Sequence, residues 1–200
     1  MQRTPMTQTV DLVFGDALII VDMQNDFLPG GSLAVVGSDR IIPVINAYIA
    51  KFRMQDRPII TTRDWHPSDH DSFVKQGGPW PAHCIAGSNG AEFSSALRLP
   101  ETATIVSTGI DKTAEGYSAF AETSLHTYLE RAGIKRLFVC GVATDYCVLQ
   151  TVLDALRLHY RVFLLQDAIK PVNVDPDDGE NAINTMLANG AELLTLDRIS

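Results

Sequence analysis

Positive charge is scarce in this chain. Lysine and arginine total 16 against 24 aspartates and glutamates, a formal net charge of -8, and the basic residues do not cluster. Without a basic patch, nucleic acid and anionic membrane surfaces are not expected as partners. Cysteine is equally sparse. Three is an odd, small number that argues for free thiols in a reducing compartment, hence the cytoplasm, and against a disulfide framework. No apolar run is long enough to cross a bilayer. The first nine residues hold one basic residue and no apolar core, so no secretory signal is visible and residues 1–9 are expected to be flexible. Several motifs are missing as well. Gly30-Gly31 and Gly87-Ser-Asn-Gly90 match neither phosphate-binding fingerprint, and no G-x-S-x-G elbow occurs, which disfavours a nucleotide dehydrogenase and a serine hydrolase of that type.

What is present is a chain of 200 residues, 46% of them hydrophobic, enough for one domain spanning 1–200 with a sizeable core. Ala17–Val21 is continuously apolar, the pattern of a parallel strand covered on both faces. Similar runs begin near Pro58, Ala103, Leu137, Arg161 and Ala191. Helical spacing recurs over about 41–52, with Ser38 as a plausible cap, and over about 121–132, 145–158 and 180–188, where Asn189-Gly190 stops the last helix. Six strand-like runs alternating with helices predict a single doubly wound α/β domain: a six-stranded, mainly parallel sheet with helices on both faces. Between Asp64 and about Ala91 periodicity is lost in a segment rich in Pro, Gly, His and Trp. A loop of that length inside a compact domain is either functional or disordered, and its aromatics and histidines argue against disorder.

The organising stretch is Leu137-Phe-Val-Cys-Gly-Val-Ala-Thr-Asp-Tyr-Cys-Val148. It predicts a buried strand, a glycine-led turn, and a helix beginning near Thr144 or Asp145, both good N-cap residues. Cys147 then falls in the first helical turn, where free backbone N–H groups and the helix dipole make a thiol easier to ionise and can hold an oxyanion. The competing reading is a small apolar residue packed on the sheet.

In open α/β sheets, ligands bind beyond the carboxyl ends of the strands. Asp22, Asp64, Lys112 and Cys147 each follow a different strand and should share that edge. A carboxylate that takes the thiol proton and an ammonium that favours the thiolate make the parts of a nucleophilic site. Capping aspartates and a solvated lysine are the bland alternatives for Asp22 and Lys112. A second cluster, Asp64-Trp-His66, His70 and Trp80-Pro-Ala-His83, holds three of the five histidines. One carboxylate and two imidazoles suit one divalent ion, zinc first, with iron or manganese also compatible. His70 is an additional ligand, a supporting group or a surface residue on this reading. The metal-free alternative is histidines stacking in an aromatic loop.

Together Val21-Asp-Met-Gln-Asn-Asp-Phe27, Arg63-Asp-Trp-His-Pro67, Trp80-Pro-Ala-His-Cys84, Asp111-Lys112 and Gly141–Val148 resemble the nicotinamidase/pyrazinamidase branch of the isochorismatase-like cysteine hydrolases. The resemblance implies hydrolysis of nicotinamide, and of pyrazinamide, to the acid and ammonia through a cysteine thioester, within NAD salvage. It implies Cys147 as nucleophile, Asp22 as general base and acid, and Lys112 as the third triad member. The oxyanion hole would use the Ala143 and Cys147 amides beside a cis Val142–Ala143 peptide. Asp64, His66 and His83 would hold the metal, which faces a ring nitrogen, and Phe27, Trp80 and Tyr117 would line the substrate pocket. The family includes monomers and dimers, so a homodimer is one of the states it allows. A carbamoyl hydrolase of the same superfamily and a non-catalytic binder are the alternatives.

Overall fold

A computed structural model describes residues 9–200. The expectation of flexibility at the N-terminus falls on residues outside this range, Thr9 excepted. Six strands, β1 (Asp16–Val21), β2 (Ile59–Asp64), β3 (Thr104–Thr108), β4 (Arg136–Val142), β5 (Arg161–Lys170) and β6 (Glu192–Leu194), form one sheet in the order β3-β2-β1-β4-β5-β6. Every pairing is parallel, so the mainly parallel sheet expected from the sequence is parallel throughout. The helices are α1 (Ile42–Met54), α2 (Leu125–Arg131), α3 (Leu149–Arg157) and α4 (Asp178–Ala188).

The continuous apolar strands are explained by two cores, one on each face. Leu18 and Ile20 of β1 and Phe138 and Cys140 of β4 pack with Ile45, Tyr48, Ile49 and Phe52 of α1. Their neighbours Ala17, Ile19, Leu137 and Val139 point the other way, into a core shared with Leu125 and Leu129 of α2, Val152 of α3 and Met186 of α4. Alternation sends successive side chains to opposite faces, and since both faces are covered, both sets must be apolar.

Local boundaries differ from the sequence expectation where caps were inferred. Ser38 does not cap α1. A short 3-10 turn at Ser38–Ile41 precedes that helix, and the Ser38 hydroxyl donates instead to the Phe27 carbonyl at 2.8 Å. The second helix is shorter than expected because 121–124 form turns. Thr144 and Asp145 cap nothing either. Ala143 occupies the cap position in extended conformation, Thr144–Val148 make a single π-type turn, and α3 proper starts at Leu149. The Asp145 carboxylate serves another purpose, accepting the Val172 and Asn173 amides at 2.9 and 2.8 Å and so tying the turn after β5 to the turn after β4.

The order of strands reverses direction at β1, with β2 and β3 on one side and β4 to β6 on the other. That switch point is where a cleft opens beyond the strand ends. Gly141 brings the two halves together: its φ is +114°, and a Cβ there would collide with the Val21 carbonyl and amide. Gly141→Ala is therefore expected to lower unfolding free energy by at least about 2 kcal/mol, from a conformation hostile to side chains plus a clash with backbone. Urea unfolding of the two proteins measures the difference.

Candidate active site and metal centre

Asp22 follows β1 directly. Its φ of +50° is uncommon outside glycine, a strain consistent with a position fixed by function. The carboxylate is 2% exposed. Thr62 of β2 donates its hydroxyl to Asp22 Oδ1 at 2.5 Å, and the Asp22 amide donates back to Thr62 Oγ1 at 3.2 Å. Asp22 is also hydrogen-bonded to the thiol of Cys147, and the Ala143 backbone amide bonds the same sulfur. The Val142–Ala143 peptide is cis. Three groups expected together from the sequence, Asp22, Ala143 and Cys147, are thus in contact.

The state of the thiol differs from the expectation. Burial pushes Cys147 well above the usual thiol range, and the nearby Asp22 and Asp64 carboxylates push it further, while the Ala143 amide lowers it only in part. The position in the turn was legible, but the desolvation and the two neighbouring anions, which outweigh the dipole, were not. Asp22 itself is raised from 3.8 to about 8, first by burial and then by the charge of Asp64.

Lys112 is not part of this arrangement. It lies half exposed on the loop after β3, its Nζ 3.2 Å from Asp69 and 3.8 Å from Asp71. No lysine or arginine lines the cleft around Cys147. The sequence placed Lys112 correctly in order, after the third strand, but β3 ends at Thr108, and the intervening residues carry the lysine out to solvent. The residue that β3 presents to the site is Thr108, 4% exposed and in register with Asp64.

Asp64, His66 and His83 do converge. All are buried, and a ligand atom from each lies within 4.8 Å of the other two. Asp64 Oδ2 is 3.4 Å from His66 Nε2 and 3.7 Å from His83 Nε2. His66 Nδ1 is 2.9 Å from the Gly109 carbonyl and His83 Nδ1 is 2.8 Å from that of Pro81. Each ring therefore uses Nδ1–H as a donor and turns Nε2 toward the carboxylate. That is how imidazoles are oriented for a metal. The donor set, one carboxylate and two Nε2 atoms with nothing else among them, fits a zinc-type ion with open positions. Burial would raise the Asp64 carboxyl, but the hydrogen bonds of both imidazoles outweigh it and hold the group well below the usual range. His70 is excluded as a ligand because both of its nitrogens are taken, by the Ser72 hydroxyl at 2.7 Å and the Ala114 carbonyl at 2.9 Å. Its ring stacks 4.2 Å from that of His66 and supports it.

The cleft between sulfur and carboxylate is lined by Phe27, Leu33, Val35, Trp80, Tyr117 and Tyr146 along with Asp64, His83, Ala143 and Cys147. The expected wall residues Phe27, Trp80 and Tyr117 are all there. Trp80 Nε1 donates to the Tyr117 hydroxyl at 2.9 Å, and Trp80 meets Tyr146 edge-to-face at 5.1 Å. Several contributors escaped sequence reasoning although they stood inside quoted motifs. Gln24 is fully buried and clamps the end of β2, accepting the Asp64 amide and donating to the Asp64 and Ala91 carbonyls. Asp26 accepts the Cys84 amide at 2.7 Å and so anchors the segment that carries His83. Tyr146 precedes the nucleophile. Motif membership was their only signal.

A parallel α/β sheet with a cysteine after its fourth strand and this cleft at the switch point defines the class of cysteine hydrolases built on this fold. The Isochorismatase domain model matches residues 16–198, and the chain belongs to that family. It is 38% identical to the nicotinamidase of Escherichia coli K12, over 90% of this chain and 94% of that one. The zinc complex of Pyrococcus horikoshii pyrazinamidase superposes with a TM-score of 0.87 at 47% identity, covering 90% and 99% of the two chains. An L. infantum structure in complex with nicotinate gives 0.89 at 37% identity, covering 96% and 98%.

Two measurements check the site. Lys112→Ala is expected to leave turnover within about twofold of the parent, since exposed ion pairs are worth little; a loss of several orders of magnitude would return the lysine to the site. Asp22→Asn is expected to abolish turnover yet stabilise the metal-free protein. A folded-state pKa raised from 3.8 to about 8 means that stability present below the unfolded value is lost as pH rises through about 8. The variant lacks that loss, so its urea midpoint should exceed the parent's at about pH 9 and converge with it toward about pH 4.

Proposed function

We propose that this protein is a metal-dependent amidase that hydrolyses nicotinamide, and also pyrazinamide, to the acid and ammonia in the salvage of NAD. The observation that carries the reading is one narrow cleft that has Cys147 on one wall, Asp64 and His83 of the three-ligand set on another, and aromatic side chains between them. A flat heteroaromatic amide matches each wall in turn. Its ring packs against Phe27 and Trp80, and its carboxamide reaches Cys147. A divalent ion held by Asp64, His66 and His83 supplies a Lewis-acidic anchor for a ring nitrogen.

The chain's own residues perform the chemistry. Asp22, already hydrogen-bonded to the thiol, takes its proton as Sγ forms a bond to the carboxamide carbon. The carbonyl electron pair moves onto oxygen, where the Ala143 and Cys147 amides stabilise the charge. Asp22 then delivers its proton to the departing nitrogen, the C–N bond breaks, and ammonia leaves a thioester. Water, deprotonated by Asp22, attacks the thioester carbon. Collapse of the second tetrahedral intermediate breaks the C–S bond, returns the thiol and releases the acid. A raised Asp22 suits both roles, because a carboxyl poised near neutrality gains and loses a proton readily. We take the enzyme to be cytoplasmic, a reading supported by its three free, buried cysteines.

Ammonia release from the zinc-loaded protein tests the assignment. Nicotinamide and pyrazinamide should be cleaved, while benzamide, which lacks the ring nitrogen, and carbamoyl compounds should be poor. Cys147→Ala should abolish release and leave fold and zinc content intact, and chelation should remove activity that added zinc restores. Turnover by Cys147→Ala, or preference for carbamoyl substrates, would overturn the reading.

A further inference from the structure

Two carboxylates end adjacent strands in this site, and each has one oxygen held by a threonine from the next strand along. Thr62, on β2, holds Asp22 after β1. Thr108, on β3, holds Asp64 at the end of β2. The geometry fixes which way the hydrogens point. Thr62 Oγ1 accepts the Asp22 amide at 3.2 Å, so its single proton is free to be donated, and it goes to Asp22 Oδ1 at 2.5 Å. Thr108 Oγ1 shares its proton between Asp64 Oδ1 at 3.1 Å and the Arg63 carbonyl at 3.3 Å, and an ionised carboxylate is the stronger acceptor. In Asp64 the division of labour is explicit: Oδ1 faces Thr108, while Oδ2 faces His66 Nε2 and His83 Nε2 at 3.4 and 3.7 Å. Both threonines are almost fully buried. With Lys112 on the surface, no lysine or arginine among the described residues lines the cleft to orient either carboxylate.

We infer that Thr62 and Thr108 are separate positioning residues, Thr62 aiming Asp22 at the Cys147 thiol and Thr108 aiming Asp64 Oδ2 at the metal position. This rests on the amidase reading for the Thr62 half only, because the Thr108 half concerns ion binding alone. A hydroxyl that occupies one oxygen restricts carboxylate rotation and leaves the other oxygen directed at its chemical partner, as outer partners do for metal ligands. A buried β-branched residue is well suited to this, since its χ1 is stiff.

The test crosses two variants with two readouts. Thr62→Val keeps the shape and removes the hydroxyl. It is expected to cut kcat by about 10- to 100-fold with KM little changed, the penalty of a misdirected catalytic group. The alkylation rate of Cys147 by iodoacetamide should change with it, while zinc affinity stays near that of the parent. Thr108→Val is expected to weaken zinc binding by about 10- to 100-fold. Excess zinc should recover most of its lost turnover, and its alkylation rate in metal-free protein should resemble the parent's. Thr62→Ser and Thr108→Ser, which keep the hydroxyl, should restore each property. Parallel loss of both properties in both valine variants, or failure of the serine variants to restore them, would overturn the inference and reduce the threonines to packing residues. Should the parent fail to cleave nicotinamide, the zinc titrations and alkylation rates still decide the matter.

Discussion

The structure is governed by the burial of two carboxylates, Asp22 and Asp64, at the ends of neighbouring strands. Like charges brought close in a site with little water cannot both be ionised at ordinary cost. The site resolves the conflict by separating their protonation. Asp64 has two imidazoles directed at it and stays ionised, whereas Asp22, facing a neutral hydroxyl and a thiol, rises to about 8. Environments that drive two similar groups apart assign them different roles. In the proposed mechanism the ionised member holds the metal and the protonatable member carries the proton. Burial and the nearby carboxylates also disfavour the Cys147 thiolate, so in the proposed mechanism base and nucleophile move the proton as bonds form.

That conflict can exist only because the sheet delivers these groups from different strands to one point. The order β3-β2-β1-β4-β5-β6 puts β1 in the middle, so Asp22 has Asp64 and Thr62 on one side and the turn bearing Cys147 on the other. Short parallel strands set the spacing, and Gly141 permits the close approach of the two backbones. Loops do the rest. Gln24 binds the end of β2 on its amide and carbonyl, and Asp26 holds the segment that carries His83 through the amide of Cys84. A catalytic residue placed by strands and a metal ligand placed by a loop are brought to the same cleft because residues next to Asp22 in sequence anchor that loop.

This explains what could be read from the sequence and what could not. Strands and their order of succession were legible because a sheet covered on both faces demands uninterrupted apolar runs such as Ala17–Val21. The convergence of Asp64, His66 and His83 was legible because the chemistry of a candidate metal site restricts residue type. The position of Lys112 beside Asp69 was not legible because strand order predicts the edge a residue occupies, not the distance a following loop carries it. Thr62 and Thr108 gave no chemical signal, since threonine in a strand is ordinarily a matter of β propensity. The ionisation of Cys147 also lay out of reach, because it depends on neighbours 125 and 83 positions earlier in the chain (Asp22 and Asp64) whose charges act only after folding.

The aromatic wall extends the argument to substrate selection. Trp80 donates its indole N–H to the Tyr117 hydroxyl, and Phe27, Leu33 and Val35 add aromatic and aliphatic surface to the cleft. A surface of that kind stabilises a flat neutral ring and offers no compensation to a charged one, which would lose its hydration without a partner. The charged and ligating groups of the cleft lie at its two ends, the sulfur and amides at Cys147 and the ligand set at Asp64. A substrate must span from one to the other, so the separation of those ends, and not any contact along the wall, limits which amides can react.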